Sequence, residues 1–239
     1  MPYDFKTAFL DTLLKPFTDR PVRLVDLGSG TSKDFPDLLR RYPNVAYTGV
    51  EPSEASRATA ARLLHGIPHV VLESAWGESL AARYRNTFDI TLSLSVLEHV
   101  KYLDSFLNTS VAITAPGGLV VHRYDLGHAL YPVSWYERAL VRTSRAVPWV
   151  VPASLFTTYP DLTHIIRTLA ACGLRDLSVR YGQMYGLKQA MNHAAQMDAA
   201  LAARIVQLDT ELADALVSRL SAREVARFFP TVTIRGVKG

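Results

Sequence analysis

VRLVDLGSGTS, residues 22–32, is the stretch that decides the fold. Val22, Leu24, Val25 and Leu27 give a short apolar run of the kind that forms a buried strand, and Gly28-Ser29-Gly30 then breaks it. Two glycines one residue apart permit positive φ and let the backbone come close to a ligand. A helix-like run follows from Lys33, so the order is strand, tight turn and helix, with the helix N-terminus facing the turn. Asp26 sits where the strand ends, which is where open α/β sheets bind ligands.

Strand-like and helix-like segments alternate outward from this unit, the pattern of a parallel sheet covered by helices. A helix over 33–42 carries Phe35, Leu38 and Leu39 on one face. A second strand over 45–50 closes on Glu51-Pro52, and Ser53 can cap a helix running to about residue 64. Strands follow over 69–73 and 88–94, then a helix over 96–109, the turn Ala115-Pro116-Gly117-Gly118 and a fifth strand over 119–124. The rhythm changes over 125–160, which holds Tyr131, Trp135, Tyr136, Trp149, Phe156, Tyr159 and several prolines. That segment is too long for an ordinary connection and reads as a substrate lid. A helix over 162–171 ends at Gly173, and a sixth strand covers 175–181. Between 188 and 228, Leu201, Ile205, Leu208, Leu212, Leu216 and Leu220 recur at helical spacing. Ser221-x-x-Glu224 matches a capping box and divides the region into at least two helices. Residues 231–237 alternate as a last strand.

Composition narrows the function classes. The chain has 239 residues, 49% of them hydrophobic, enough for one large core. Lys and Arg number 26 against 22 Asp and Glu, with no basic block, so no dedicated nucleic-acid surface is indicated. The single cysteine, Cys172, excludes an internal disulfide and a cysteine-based zinc site, and a reduced, cytoplasmic setting fits. The first seventeen residues, with Asp4 and Asp11, make a poor signal peptide and a fair amphipathic helix. The longest uncharged stretch, 146–160, is shorter than a membrane span and holds three prolines.

The glycine turn gains weight from three further marks that follow it in order. VDLGSGTS, YTGVEPSE, FDITLSLSVLEHV and APGGLVVH together resemble the motifs of the class I S-adenosylmethionine (SAM)-dependent methyltransferases of the small-molecule type. The resemblance implies a Rossmann-like α/β fold: a seven-stranded, mostly parallel sheet with an antiparallel last strand and helices on both faces. The chain would be a single domain over 1–239, with the substrate lid at 125–160 and a helical insertion at 187–228. It also implies SAM as cofactor. Gly28, Ser29 and Gly30 would pass the tail and ribose against backbone, and Asp26 would accept from the ammonium. Glu51, followed by Pro52, would hold the ribose hydroxyls. Ser74, Ala75 and Trp76 fall at the adenine position. The family's usual acid is absent there, so Glu73, the Ser74 hydroxyl or backbone groups would replace it; Trp76 either stacks on the adenine or packs in the core. Ser93 and Leu94 fall where the family offers backbone carbonyls to the ammonium.

The acceptor is less defined. His122, Asp125 and His128, in HRYDLGH, lie at and after the fifth strand on the rim of the expected pocket. One histidine could take a proton while Asp125 orients it. The trio is too small and irregular to favour a metal site. His99 reads as packing at a helix start, and Cys172 as a buried thiol remote from the strand tips. The Ser93-Leu94-Ser95-Val96 run lacks the Asn/Asp-Pro-Pro-aromatic stretch of nucleobase amine methylation. The aromatic lid points to a small organic acceptor, and the HRYDLGH cluster alone points to a hydroxyl as the atom methylated. Two rivals stand beside this: a catalytically silent SAM-binding scaffold and an NAD(P)-dependent oxidoreductase. Lys33 takes the place of the third glycine of the dinucleotide fingerprint, and no phosphate-binding Gly-Lys-Ser/Thr loop occurs. The helical insertion suits a homodimer contact.

Overall fold

Seven strands form one sheet in the order β3-β2-β1-β4-β5-β7-β6. They are β1 (Val22–Leu27), β2 (Val45–Val50), β3 (Val70–Glu73), β4 (Phe88–Leu94), β5 (Thr114–Asp125), β6 (Leu174–Gly182) and β7 (Thr231–Lys238). The structure is a computed structural model, and it describes residues 4–130, 134–152 and 155–239. The side chains of His128, Ala129, Glu137, Asn192, Ala195, Gln196 and Met197 lie outside that description, as does Tyr131. Strands β1 to β5 pair in parallel. β7 wedges between β5 and β6 and runs antiparallel to both. The mostly parallel sheet with an antiparallel last strand is thus present.

The helices are α1 (Phe5–Leu14), α2 (Pro36–Arg41), α3 (Glu54–Leu63), α4 (Gly77–Arg83), α5 (Leu103–Ile113), α6 (Gly127–Leu130), α7 (Trp135–Ala146), α8 (Leu162–Ala171), α9 (Tyr185–Met197), α10 (Ala199–Leu216) and α11 (Ala222–Phe228). Their starts follow local chemistry. Asp4 caps α1 by accepting from the Thr7 amide, and Ser53 caps α3 by accepting from that of Ser56. The Ser221/Glu224 capping box opens α11.

Side-chain alternation sends the two faces of the sheet to two cores. On one face Leu10, Leu13 and Leu14 of α1 and Leu38 and Leu39 of α2 pack with Leu24, Tyr47, Ile90, Leu92 and Val121. On the other, Phe106, Leu107 and Val111 of α5 and Ile165 and Leu169 of α8 pack with Val25, Val120, Tyr124 and Ile234. Each such side chain contributes about 1.5–3 kcal/mol on burial. Among the described residues no helix is long and apolar enough to cross a membrane.

The structure corrects two expectations about helices. The helix placed over 96–109 is a short 3-10 turn, Leu97–His99, followed after a break by α5. Ser95 adopts φ +57° and Val100 is extended, so helical hydrogen bonding cannot pass through. A helix at Gly77–Arg83 carried no sequence signal, because Leu80 is its one buried residue. Within 125–160, Val151 and Phe156 are buried. The segment is tied to the turn after β4: Thr158 N donates to the Glu98 carbonyl, and Lys101 Nζ to that of Val151.

Candidate cofactor and acceptor site

Strand order reverses between β1 and β4, so their C-terminal tips open a crevice, the usual ligand position in such sheets. The glycine turn forms its floor. Gly28 has φ +77°, and its amide donates to the Val50 carbonyl at 2.8 Å, as the Ser29 amide does at 3.0 Å. A Cβ at Gly28 would lie 2.7 Å from Val96 Cγ2, so that site is closed by packing. Gly30 has φ +54° and faces open space, with nothing within 4 Å of a built Cβ. Its amide donates to Glu51 Oε2 at 3.0 Å, while the Ser53 amide donates to Oε1 at 2.8 Å. Glu51 therefore links the β2 tip to the turn, and the neighbouring Pro52 is exposed.

Asp26 is buried beneath the turn. Tyr47 Oη donates to its Oδ2 at a long 3.4 Å and also pairs with Ser32 Oγ at 2.9 Å. Asp26 Oδ1 and Ser29 Oγ are buried with no hydrogen-bond partner. Burial lifts the Asp26 pKa to about 7, against the lowering pull of Lys6 and Tyr47. Two orphaned acceptors under an open glycine fit a ligand that brings a cation and hydrogen-bond donors. SAM is such a ligand, so the residues present match the cofactor that the motifs imply.

On the adenine side, Ser74 is exposed and Ala75 packs against the core. Glu73 is engaged, accepting from Arg83 Nη1 and from Tyr84 Oη at 2.6 Å. The Trp76 ring packs against the core, 5.3 Å from that of Phe106, while 39% of the residue stays exposed. It closes a small apolar recess with Leu27, Leu80 and Thr109.

The fifth-strand cluster is divided by the strand itself. His122 is fully buried on the α5 face, its Nδ1 2.8 Å from Ser93 Oγ and its Nε2 3.1 Å from Ser110 Oγ. Burial pulls its pKa down to about 3. The structure thus places His122 in the core instead of on the rim, with both ring nitrogens used. Ser93 is likewise committed to this bond, and Leu94 is half-buried beside it. Asp125 is on the opposite face, accepting from the Gly127 amide at 2.7 Å and from Lys188 Nζ at 2.5 Å. The side chain of His128 lies outside the described residues. His99 Nδ1 meets the Phe156 carbonyl and Thr157 Oγ1, each at 3.2 Å. Cys172 Sγ donates to Asn108 Oδ1, away from the strand tips.

Asp125 lines a cavity of about 280 Å³ beside the crevice. Its walls come from α1 (Phe5, Lys6), the residue after β4 (Ser95), β5 (Arg123) and α9 (Lys188, Met191). Of 125–160, Asp125 is the contributor among the described residues; the cover comes from the N-terminal helix and the start of the helical insertion. A second cavity of about 460 Å³ adjoins it and shares Phe5, Arg123, Gln183 and Thr231. Arg123, Lys6, Gln183 and Lys188 were absent from the sequence reading. Strand parity could have found Arg123, which shares a face with Asp125 two residues on. Glu98 is also new: it is buried, its Oε1 accepts from the Asp125 amide at 3.3 Å, and burial lifts its pKa to about 7. Among the described residues no group of three His, Cys, Asp or Glu gathers to hold a metal.

Comparison with known proteins agrees with this geometry. A family model described as a methyltransferase domain matches residues 25–120, from β1 into β5. The chain is 33% identical over 100 residues to the ubiquinone biosynthesis O-methyltransferase of Bradyrhizobium sp. (strain ORS 278), covering 42% of this chain and 38% of that protein. The matched part thus spans well under half the length of that relative. A longer match, 29% identical over 201 residues, joins 77% of this chain to 73% of the protein of the same description from Rhizobium rhizogenes (strain K84 / ATCC BAA-868). Among solved structures, phosphoethanolamine N-methyltransferase 2 of Haemonchus contortus in complex with S-adenosyl-L-methionine superposes with a TM-score of 0.60 at 16% identity, over 98% of this chain and 52% of that one. An Archaeoglobus fulgidus SAM-dependent methyltransferase does so with a TM-score of 0.54 at 16% identity, over 97% and 94%. At such identity these two show a shared fold.

Proposed function

We propose that this chain, a class I S-adenosylmethionine-dependent methyltransferase, moves a methyl group from SAM to a hydroxyl oxygen of a small organic acceptor. One observation carries the reading: buried, partnerless Asp26 Oδ1 and Ser29 Oγ lie under the open turn at Gly30, next to a walled cavity. Bound SAM supplies an electrophilic methyl group on a sulfonium. Asp26 and Ser29 would accept hydrogen bonds from its donors, and Glu51 would hold its ribose from the β2 tip. Ser74, Ala75 and Trp76 would border the adenine, with Trp76 offering a ring face beside Phe106. The acceptor occupies the 280 Å³ cavity. Asp125, held by the Gly127 amide and Lys188, receives the hydroxyl proton. His122 serves as a positioning residue: it ties Ser93 at the β4 tip to Ser110 of α5, on the far side of the sheet from the cavity. Positioning supplies most of the acceleration in a displacement of this kind. Thr158 braces the turn after β4 by donating to the Glu98 carbonyl.

Titration calorimetry of the full chain with SAM, S-adenosylhomocysteine, NAD and NADP tests the cofactor. Binding of the first two and not of the nicotinamide cofactors is expected; the reverse would overturn the reading in favour of an oxidoreductase. Release of S-adenosylhomocysteine over a panel of hydroxylated acceptors separates an enzyme from a scaffold that binds SAM without turnover.

A further inference from the structure

The cavity beside the glycine turn is lined by more cationic side chains than its own carboxylates require. Arg123 projects into it from β5 and lies at its junction with the larger cavity. Among the described residues Arg123 forms no ion pair. Its guanidinium stacks 4.5 Å over the Phe9 ring and donates to the Phe5 carbonyl at a marginal 3.5 Å. Burial draws its pKa down to about 10, so it remains charged. Lys6 and Lys33 line the same cavity, and neither makes a hydrogen bond or ion pair among the described residues.

Lys6 and Lys33 act on Asp34, and Lys6 also on Asp26, through space without a direct contact, whereas the carboxylates around Arg123 already have donors. Asp125 accepts from Lys188 and Gly127, Asp4 caps α1 through the Thr7 amide, and Asp209 accepts from the Gln183 and Met184 amides at 2.7 and 2.6 Å. Gln183 adds an independent sign. It is 7% exposed, lines both cavities and holds φ +57°, a conformation that costs a non-glycine residue about 1–2 kcal/mol. Its Oε1 accepts from Thr231 Oγ1, which leaves the amide NH₂ without a partner among the described residues. A strained residue whose amide lines both cavities, near a guanidinium that forms no ion pair among the described residues, marks a ligand position.

We infer that the methyl acceptor carries a carboxylate or phosphate group, held in this cavity by Arg123 and the Gln183 amide, with Lys6 and Lys33 closing the field from the N-terminal side. The inference rests on the methyltransferase reading in taking the anion's bearer to be the acceptor. A fork of guanidinium donors matches the paired oxygens of either anion.

Calorimetry with p-hydroxybenzoate, 4-hydroxyphenyl phosphate and the uncharged methyl p-hydroxybenzoate, with and without saturating S-adenosylhomocysteine, tests it on the full chain. At least one anion should bind about tenfold or more tightly than the ester, the size expected of hydrogen bonds to a charged group. The better of the two identifies the anion. Arg123→Gln should abolish the preference. A Lys6→Gln/Lys33→Gln double variant should weaken anion binding severalfold, more so at low salt. That double variant carries the test should Arg123→Gln fail to fold. Equal binding of acid and ester, no binding of either anion at millimolar concentration, or an unchanged preference in the variants would overturn the proposal. A chain that binds S-adenosylhomocysteine without preferring anions refutes the anion site alone. A chain that prefers anions but ignores S-adenosylhomocysteine refutes methyl transfer and leaves the anion site standing.

Discussion

Asp26 is held at odds with its own chemistry. Its ordinary pKa of 3.8 rises to about 7 because burial penalises the carboxylate. Between those values the folded chain keeps a proton that the unfolded chain releases, so this residue's effect on stability turns unfavourable as pH rises from about 4 to 7. Asp26→Asn should therefore melt several degrees higher than wild type above pH 7 and lose S-adenosylhomocysteine binding, as scanning calorimetry and titration would show. In the wild type, if Asp26 faces the cation as proposed, affinity for SAM should rise as pH climbs through about 7, where the carboxylate becomes ionised. His122 has the opposite sign. Its pKa falls from 6.5 to about 3, so its contribution is lost as pH drops through that interval. His122→Gln should cost about 1–3 kcal/mol in denaturant unfolding yet leave S-adenosylhomocysteine affinity of the folded protein within about twofold. A large loss of affinity without a loss of stability would return His122 to the rim. The sequence placed both residues on their strands but could not show what faces them. His122 and Asp125 stand three apart, so a strand sends them to opposite sides, and Ser110, the partner of His122, comes from a helix twelve residues upstream.

Local elements differ in how openly they were written. The β1 turn was legible because glycine alone tolerates the backbone there, and the Ser221/Glu224 box because capping has a fixed spacing. α4 was hidden because one buried leucine sets no period. The 3-10 turn at Leu97–His99 was hidden because the left-handed Ser95 has no glycine to announce it. The two glycines of the turn can be separated by experiment. Gly28→Ala combines a left-handed cost with a 2.7 Å clash against Val96 and should lose about 2–4 kcal/mol. Gly30→Ala bears the left-handed cost alone, about 1–2 kcal/mol, because nothing stands in its way. It should nevertheless bind S-adenosylhomocysteine less well than its stability implies, since the added methyl fills the open face of the cradle. Comparison of urea midpoints with affinities for the two variants checks both statements.

Across the molecule, the cavity beside the glycine turn draws its walls from parts distant in sequence: Lys6, then Ser95 and Arg123, then Lys188 and Thr231. No local motif could announce such a site; the sheet brings those parts together by running β7 back beside β5. Filling the cavity should accordingly slow amide exchange in Phe5–Leu14 and Tyr185–Met197 together, with little change in β3 or α4, when S-adenosylhomocysteine and p-hydroxybenzoate are added. Hydrogen-exchange mass spectrometry reads this directly, and protection confined to one of the two helices would contradict a shared enclosure. The position of β7 also bears on biogenesis. During synthesis β6 emerges some fifty residues ahead of the strand that must sit between it and β5. Until β7 clears the ribosome, a nascent edge stays open to wrong pairing. Maturation of this protein is therefore gated at the emergence of β7, and chaperone demand should concentrate in the interval between the two strands.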